Sequence, residues 1–137
     1  LQILAKDIKD RINDTPFCKN IGIRVLDIDK GYAKLEMPYK MDLTQPLGFI
    51  HGGAIASLVD SAGAFASFTV IKEDELVYTV ELKVSYLVGI KEGPIIAEAK
   101  VISPGDRIIV TDIDVLNSSR ELLAKAIATY IKYKNNF

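Results

Sequence analysis

Residues 48–71 read GFIHGGAIASLVDSAGAFASFTVI, and one acid, Asp60, stands inside this long run of small and apolar residues. An ionised carboxylate withdrawn from water without partners is very costly, so a chain keeps one in such a helix only for a strong reason. The run opens on His51-Gly52-Gly53. A helix start leaves backbone N–H groups unpaired and carries partial positive charge. One segment, predicted as a helix over 53–71, therefore offers an oxyanion-binding end and a sequestered acid. Ala54, Ala56, Gly63, Ala64 and Ala66 keep that helix thin, as suits a rod with strands packed closely around it.

A run this apolar is also a candidate membrane span. Asp60 near its middle, Ser57, Ser61 and Ser67, and the acidic flank Glu73-Asp74-Glu75 argue for a buried helix instead, because an acid at mid-bilayer is expensive. Outward from the helix the chain changes period. Residues 1–14 place Ile3, Leu4, Ile8 and Ile12 at helical spacing, predicting an amphipathic N-terminal helix closed by Thr15-Pro16. IRVLDID and YAKLEMP flank Lys30-Gly31 as a hairpin, and 39–50 is a loop with Pro46 and Gly48. In VYTVELKVSYLV strict alternation puts Tyr78, Val80, Leu82, Val84, Tyr86 and Val88 on one face and Thr79, Glu81, Lys83 and Ser85 on the other. IIAEAKVIS and RIIVTDIDVLN follow, joined by Pro104-Gly105-Asp106. The last run, ELLAKAIATYIKYK, reads as a strand after a short polar connector, although Leu122, Leu123, Ala126, Ile127 and Tyr130 also fit a helical period. With no βαβ alternation, the expected fold is α+β: one domain over 1–137, a curved antiparallel sheet wrapped around the central helix.

Composition narrows the function. With 137 residues, 49% of them apolar and 26% charged, this is an ordinary globular chain. A net charge of −1 gives no field for nucleic acid or an anionic membrane. One cysteine, Cys18, and one histidine, His51, leave neither a disulfide nor a Cys/His metal site to expect, and no cofactor is implied. The N-terminal stretch lacks the unbroken apolar core of a secretory signal, so the protein reads as cytoplasmic. Distance then shapes the site. Gly52 and Asp60 are eight residues apart, about 12 Å along a helix axis, too far for the acid to reach a group held at its own helix start. Two such helices lying antiparallel bring each Asp60 to the other's Gly52, which predicts a two-fold homodimer with shared sites.

Gln45, His51-Gly52-Gly53 and Asp60 at these spacings, followed by Thr79-Val80-Glu81-Leu82-Lys83-Val84-Ser85-Tyr86, resemble the hotdog-fold acyl-CoA thioesterases of the phenylacetate-degradation (PaaI-like) type. The resemblance runs from about Ile21 to the C-terminus. It implies that the Gly52 N–H polarises a thioester carbonyl and that Asp60 acts as nucleophile or general base, two routes the sequence leaves open. It also implies that Gln45 holds the carbonyl or a water and that Thr79 assists the acid. His51 reads as the residue that positions the helix entry. For the CoA moiety the resemblance points to Gly53, Glu81, Tyr86, and the Ser103–Arg107 turn with Ser103 and Gly105. Arg107 is the phosphate partner by chemistry, with Lys83 and Lys91 as weaker candidates. Two departures stand out: Val88-Gly89 where relatives often carry Arg-Pro or Ser-Pro, and Gln45 where many carry Asn. The expected activity is hydrolysis of an aryl- or medium-chain acyl-CoA by a homodimer, extended to a homotetramer. A non-catalytic acyl-CoA-binding module and a hotdog hydratase or dehydratase are the alternatives.

Overall fold

The computed structural model describes residue 10 and residues 12–134. The helix expected over 1–14 therefore lies mostly outside the described residues. Its closing turn is within them: the Asp14 N–H donates to the Asp10 carbonyl at 3.0 Å and the Thr15 N–H to that of Ile12 at 3.1 Å. Directly after this closing turn comes an element the sequence reading did not name. It is a short helix, α1 (Pro16–Ile21), with proline at its start, where a missing N–H costs nothing. Gly22, at φ 82°, ends it and returns its N–H to Lys19.

The remaining elements are β1 (Arg24–Asp29), β2 (Tyr32–Met37), a single 3-10 turn (Met41–Leu43), α2 (Gly52–Phe68), β3 (Glu75–Tyr86), β4 (Ile95–Ser103), β5 (Ile108–Leu116) and β6 (Leu122–Lys134). The strands form one antiparallel sheet in the order β1-β2-β4-β5-β6-β3. This is the α+β architecture expected: a curved sheet around one long helix, the hotdog fold. The final run is a strand because β5 and β3 flank it and satisfy both its edges, which a helix there could not offer.

Helix and sheet meet through small side chains. Ala97 and Ala99 of β4 and Ala124, Ala126 and Ala128 of β6 are buried with Leu58, Val59, Ala62 and Ala66 of α2. These alanines bring the sheet close to the helix axis. The helix is shorter at its far end than the apolar run suggested, stopping at Phe68 rather than Ile71. Thr69 ends it: its hydroxyl donates to the Ala66 carbonyl at 2.6 Å and accepts the Gly31 N–H at 2.7 Å, clamping the helix end to the β1–β2 turn.

The alternation read for β3 is corrected at one residue. Thr79 pairs with Tyr130 and Glu81 with Thr129, so Val80 is an extra residue, a β-bulge. Beyond it Leu82 and Val84 face the helix, whereas Tyr78 faces outward and stacks on Tyr133 with ring centroids 4.2 Å apart. Thr79, read from simple alternation as sharing Glu81's face, is turned to the helix. Along its other edge β3 has no neighbouring strand among the described residues, and Val80 and Tyr86 lie more than half exposed there.

Candidate functional site

The helix entry is built by His51. Its Nδ1 accepts the Gly53 N–H at 2.8 Å, and its carbonyl accepts the Ala54 N–H at 2.9 Å. A Cβ at Gly53 would stand 2.9 Å from that same Nδ1, so glycine makes room for the cap. His51 is thus an N-cap that orders the first turn, a role sequence reasoning had favoured over general base. The Gly52 N–H, in contrast, has no acceptor among the described residues. Its carbonyl accepts the Tyr86 hydroxyl at 2.9 Å, so β3 holds this peptide in place. The first turn therefore presents one tethered glycine with an unspent donor.

Beside it opens a cleft of about 370 Å³ lined by Gln45, Phe49, Ile50, Gly52, Ile55, Tyr86, Leu87, Val88, Gly89 and Ile90. The walls are chiefly apolar. The Val88-Gly89 departure has a visible consequence here: a Cβ at Gly89 would lie 2.8 Å from the Phe49 ring, so the missing side chain lets that ring lie against the strand exit. Lys91 covers the ring with its Nζ 4.5 Å from the centroid. Gln45 reaches the cleft, but its Oε1 accepts the Leu47 N–H inside its own turn.

Asp60 sits two turns along α2, half-buried, and is not naked. Its Oδ1 accepts the Thr79 hydroxyl at 2.8 Å, a contact that the β-bulge makes available. Tyr130 was missed by sequence reasoning. Its hydroxyl lies 2.8 Å from the Asp60 carbonyl and 3.3 Å from Oδ1. The signal was present: Tyr130 follows Ala124, Ala126 and Ala128 on the inward face of β6, and a buried tyrosine needs a partner for its hydroxyl. Burial first, then the charge of Asp60 and the hydrogen bond to it, hold this phenol protonated well above its usual range, against a smaller opposing effect of the Ala64 amide.

Within one chain the structure does not bring the two halves together. Gly52, Gln45 and Tyr86 gather at one end, and Tyr86 pairs with Ala124 of β6. Asp60 and Thr79 lie by Tyr130, next to Ile131, which pairs with Ile108 just after Arg107. From Ala124 to Ile131 is seven residues, about 23 Å along a strand. The Ser103–Arg107 turn thus belongs to the acid's end of the sheet. A Cβ at Gly105 would stand 2.2 Å from the Ile108 carbonyl oxygen, so that glycine is required by the turn itself. Glu81 and Arg107 are exposed.

Known proteins resemble this chain in sequence and in fold. The sequence pattern of the thioesterase superfamily matches residues 47–124, the span that holds the helix start, Asp60 and Thr79. A Saccharolobus solfataricus protein named "putative esterase" is 40% identical over 130 residues, 95% of this chain and 86% of its own. The 1,4-dihydroxy-2-naphthoyl-CoA hydrolase of Listeria monocytogenes is 28% identical over 105 residues, 77% of this chain and 85% of its own. The solved structure of the PaaI protein of the E. coli phenylacetic acid degradation operon superposes with a TM-score of 0.85 over 93% of this chain and 91% of that one. At 21% identity it shares the fold.

Proposed function

The chain belongs to the thioesterase superfamily, and from that premise we propose that it hydrolyses the thioester of an aryl- or medium-chain acyl-CoA. In this reading the Gly52 N–H receives the developing oxyanion, and the partner subunit's Asp60 activates water or attacks the carbonyl. The observation that carries it is the contrast at the helix start: the Gly53 amide is capped by His51 while the Gly52 amide, one residue earlier, has no acceptor among the described residues. A fixed donor aimed at a forming oxyanion contributes about 3–4 kcal/mol in acyl transfer. The apolar cleft beside it suits the acyl group, and the CoA hydrolase relative supports a CoA thioester. Arg107 is the phosphate contact proposed from chemistry.

The dimer follows from β3. Its free edge exposes Val80 and Tyr86 over a twelve-residue strand, a template for pairing with a second copy. An antiparallel pairing whose two-fold axis passes beside Leu82 and Lys83 brings Thr79, which holds Asp60, towards the partner's Tyr86, which holds Gly52. Each site then takes its acid from one subunit and its amide from the other.

Two experiments test this. Acyl-CoAs of graded size with a thiol reagent report CoA release: turnover supports hydrolysis, binding alone indicates the non-catalytic module, and Asp60→Ala is expected to abolish release. Co-refolding Asp60→Ala with Gly52→Ala subunits is expected to restore activity, because the mixed dimer regains one intact site. Failure of the mixture to recover, with dimers formed, would refute the shared site.

A further inference from the structure

Tyr130 lies on β6, far in sequence from the helix start, and none of its ring is exposed. Its hydroxyl donates to the main chain and the carboxylate of Asp60 and lies beside the Ala64 amide one turn on. The space it occupies is kept open by the absence of a side chain at 63: a Cβ there would stand 2.3 Å from the hydroxyl oxygen and 2.9 Å from the Thr111 Oγ1. Thr111 does not compete for Asp60, because its own hydroxyl donates across the sheet to the Ala128 carbonyl at 3.0 Å. Three elements thus converge to deliver one phenol to one turn of α2.

We propose that Tyr130 is a positioning residue for thioester hydrolysis, fixing the Asp60 backbone and the Oδ1 side of its carboxylate so that Oδ2 is presented to the reaction. This rests on the assignment of Asp60 as the catalytic acid. One hydroxyl proton serves both contacts. The shorter anchors the carbonyl of residue 60, and the longer limits rotation of its carboxylate. With Thr79 also on Oδ1, no donor among the described residues reaches Oδ2. A carboxylate held by one oxygen and free at the other is prepared to accept a proton from water or to attack, without first breaking a bond. The contact to the helix carbonyl would by itself satisfy a buried phenol; the one to Oδ1 is what couples Tyr130 to the acid. The phenol also remains a donor across the working pH range, because burial and the neighbouring charge keep it protonated. Among the described residues the side chains that reach the carboxylate are Thr79 from β3 and Tyr130 from β6, and of these two Tyr130 is the one that titrates.

The test compares the intact dimeric protein with Tyr130→Phe, using whichever acyl-CoA of the panel it hydrolyses fastest. The expected result is a kcat lowered about 5- to 20-fold, a KM within twofold, and an acid limb of the kcat/KM profile moved to higher pH, since the ionised carboxylate loses a donor. Wild-type kcat with an unmoved limb would overturn the proposal, as would a raised KM with kcat unchanged. Should the phenylalanine variant misfold, 3-fluorotyrosine placed at 130 gives a stronger donor of nearly the same size. It is expected to move the acid limb the other way, and an unmoved limb again overturns the proposal. Asp60→Asn is measured alongside. If it retains turnover, the catalytic assignment itself fails; if it is inactive while Tyr130→Phe is wild-type, only the positioning role fails.

Discussion

Gly52→Ala separates a glycine kept for chemistry from one kept for folding. The residue sits at the first position of α2 and is not among the glycines with positive φ, which are 22, 31 and 48. Alanine therefore adopts its backbone without strain. The new Cβ would meet the Tyr86 ring at 3.4–3.6 Å, ordinary van der Waals contact. Reduced freedom of the unfolded chain then stabilises the variant by about 0.4–1 kcal/mol. For a chain of this length that corresponds to a rise of roughly 1–4 °C in Tm. Activity is expected to move oppositely. The methyl occupies the corner between Gly52 and Tyr86, and in the proposed mechanism the thioester carbonyl meets the amide there, so kcat/KM should fall about 10- to 100-fold, part of the full loss of an oxyanion donor. Differential scanning calorimetry and steady-state CoA release on the same preparation check both signs. A Tm lowered by several degrees would make Gly52 a folding residue. An unchanged kcat/KM would place the reacting carbonyl elsewhere.

Three further outcomes are expected. Thr79→Val keeps the shape of the strand but removes the 2.8 Å donor to Asp60; such a bond contributes about 0.5–1.5 kcal/mol, so kcat/KM for CoA release should fall about 2- to 12-fold. Tyr130 has its folded-state pKa raised above the ordinary 10.0, so its contribution is complete below pH 10 and is lost above it as the unfolded chain releases the proton first; urea titrations should show wild type losing its advantage over Tyr130→Phe between pH 10 and 12. The Arg120 guanidinium, bidentate on Glu98 at 2.9 and 3.2 Å, holds that carboxyl below its usual 4.5. That contribution is present above pH 4.5 and fades below it, so the stability gap between wild type and Arg120→Gly should narrow from pH 6 to pH 3.

How much of this was legible beforehand depends on the range of the forces involved. The strands and the central helix were readable because each carries its own period, and the turns at Lys30-Gly31 and Pro104-Gly105-Asp106 carry their own chemistry. Gly52 and Asp60 stood out because an acid among alanines and a glycine pair at a helix start are local anomalies. Three features were not readable. Helix α1 is too short to show a period, although Pro16 after Thr15 and Gly22 at its end mark it in retrospect. The end of α2 is set by Thr69, whose partner Gly31 is 38 residues away. Tyr130 is 70 residues from Asp60, and only the inward alanine column of β6 hints that its hydroxyl must find the helix.

The bulge at Val80 ties these scales together. Without an extra residue, strict alternation puts Thr79 and Glu81 on the same face of β3, and one of two requirements fails. Either Thr79 points away from Asp60, or Leu82 and Val84 leave the core. The inserted residue lets Thr79 face the helix on one side of the bulge and Leu82 and Val84 on the other. It also leaves Val80 exposed on the free edge of the strand, where the proposed partner copy would pair. A single residue that breaks the local pattern thereby joins the acid's hydrogen bonding to the packing of the sheet. It does so on the strand that carries Thr79 near its middle and the tether of Gly52, Tyr86, at its end. Bulges sit beside active sites because they re-aim one side chain while the ladder on either side continues.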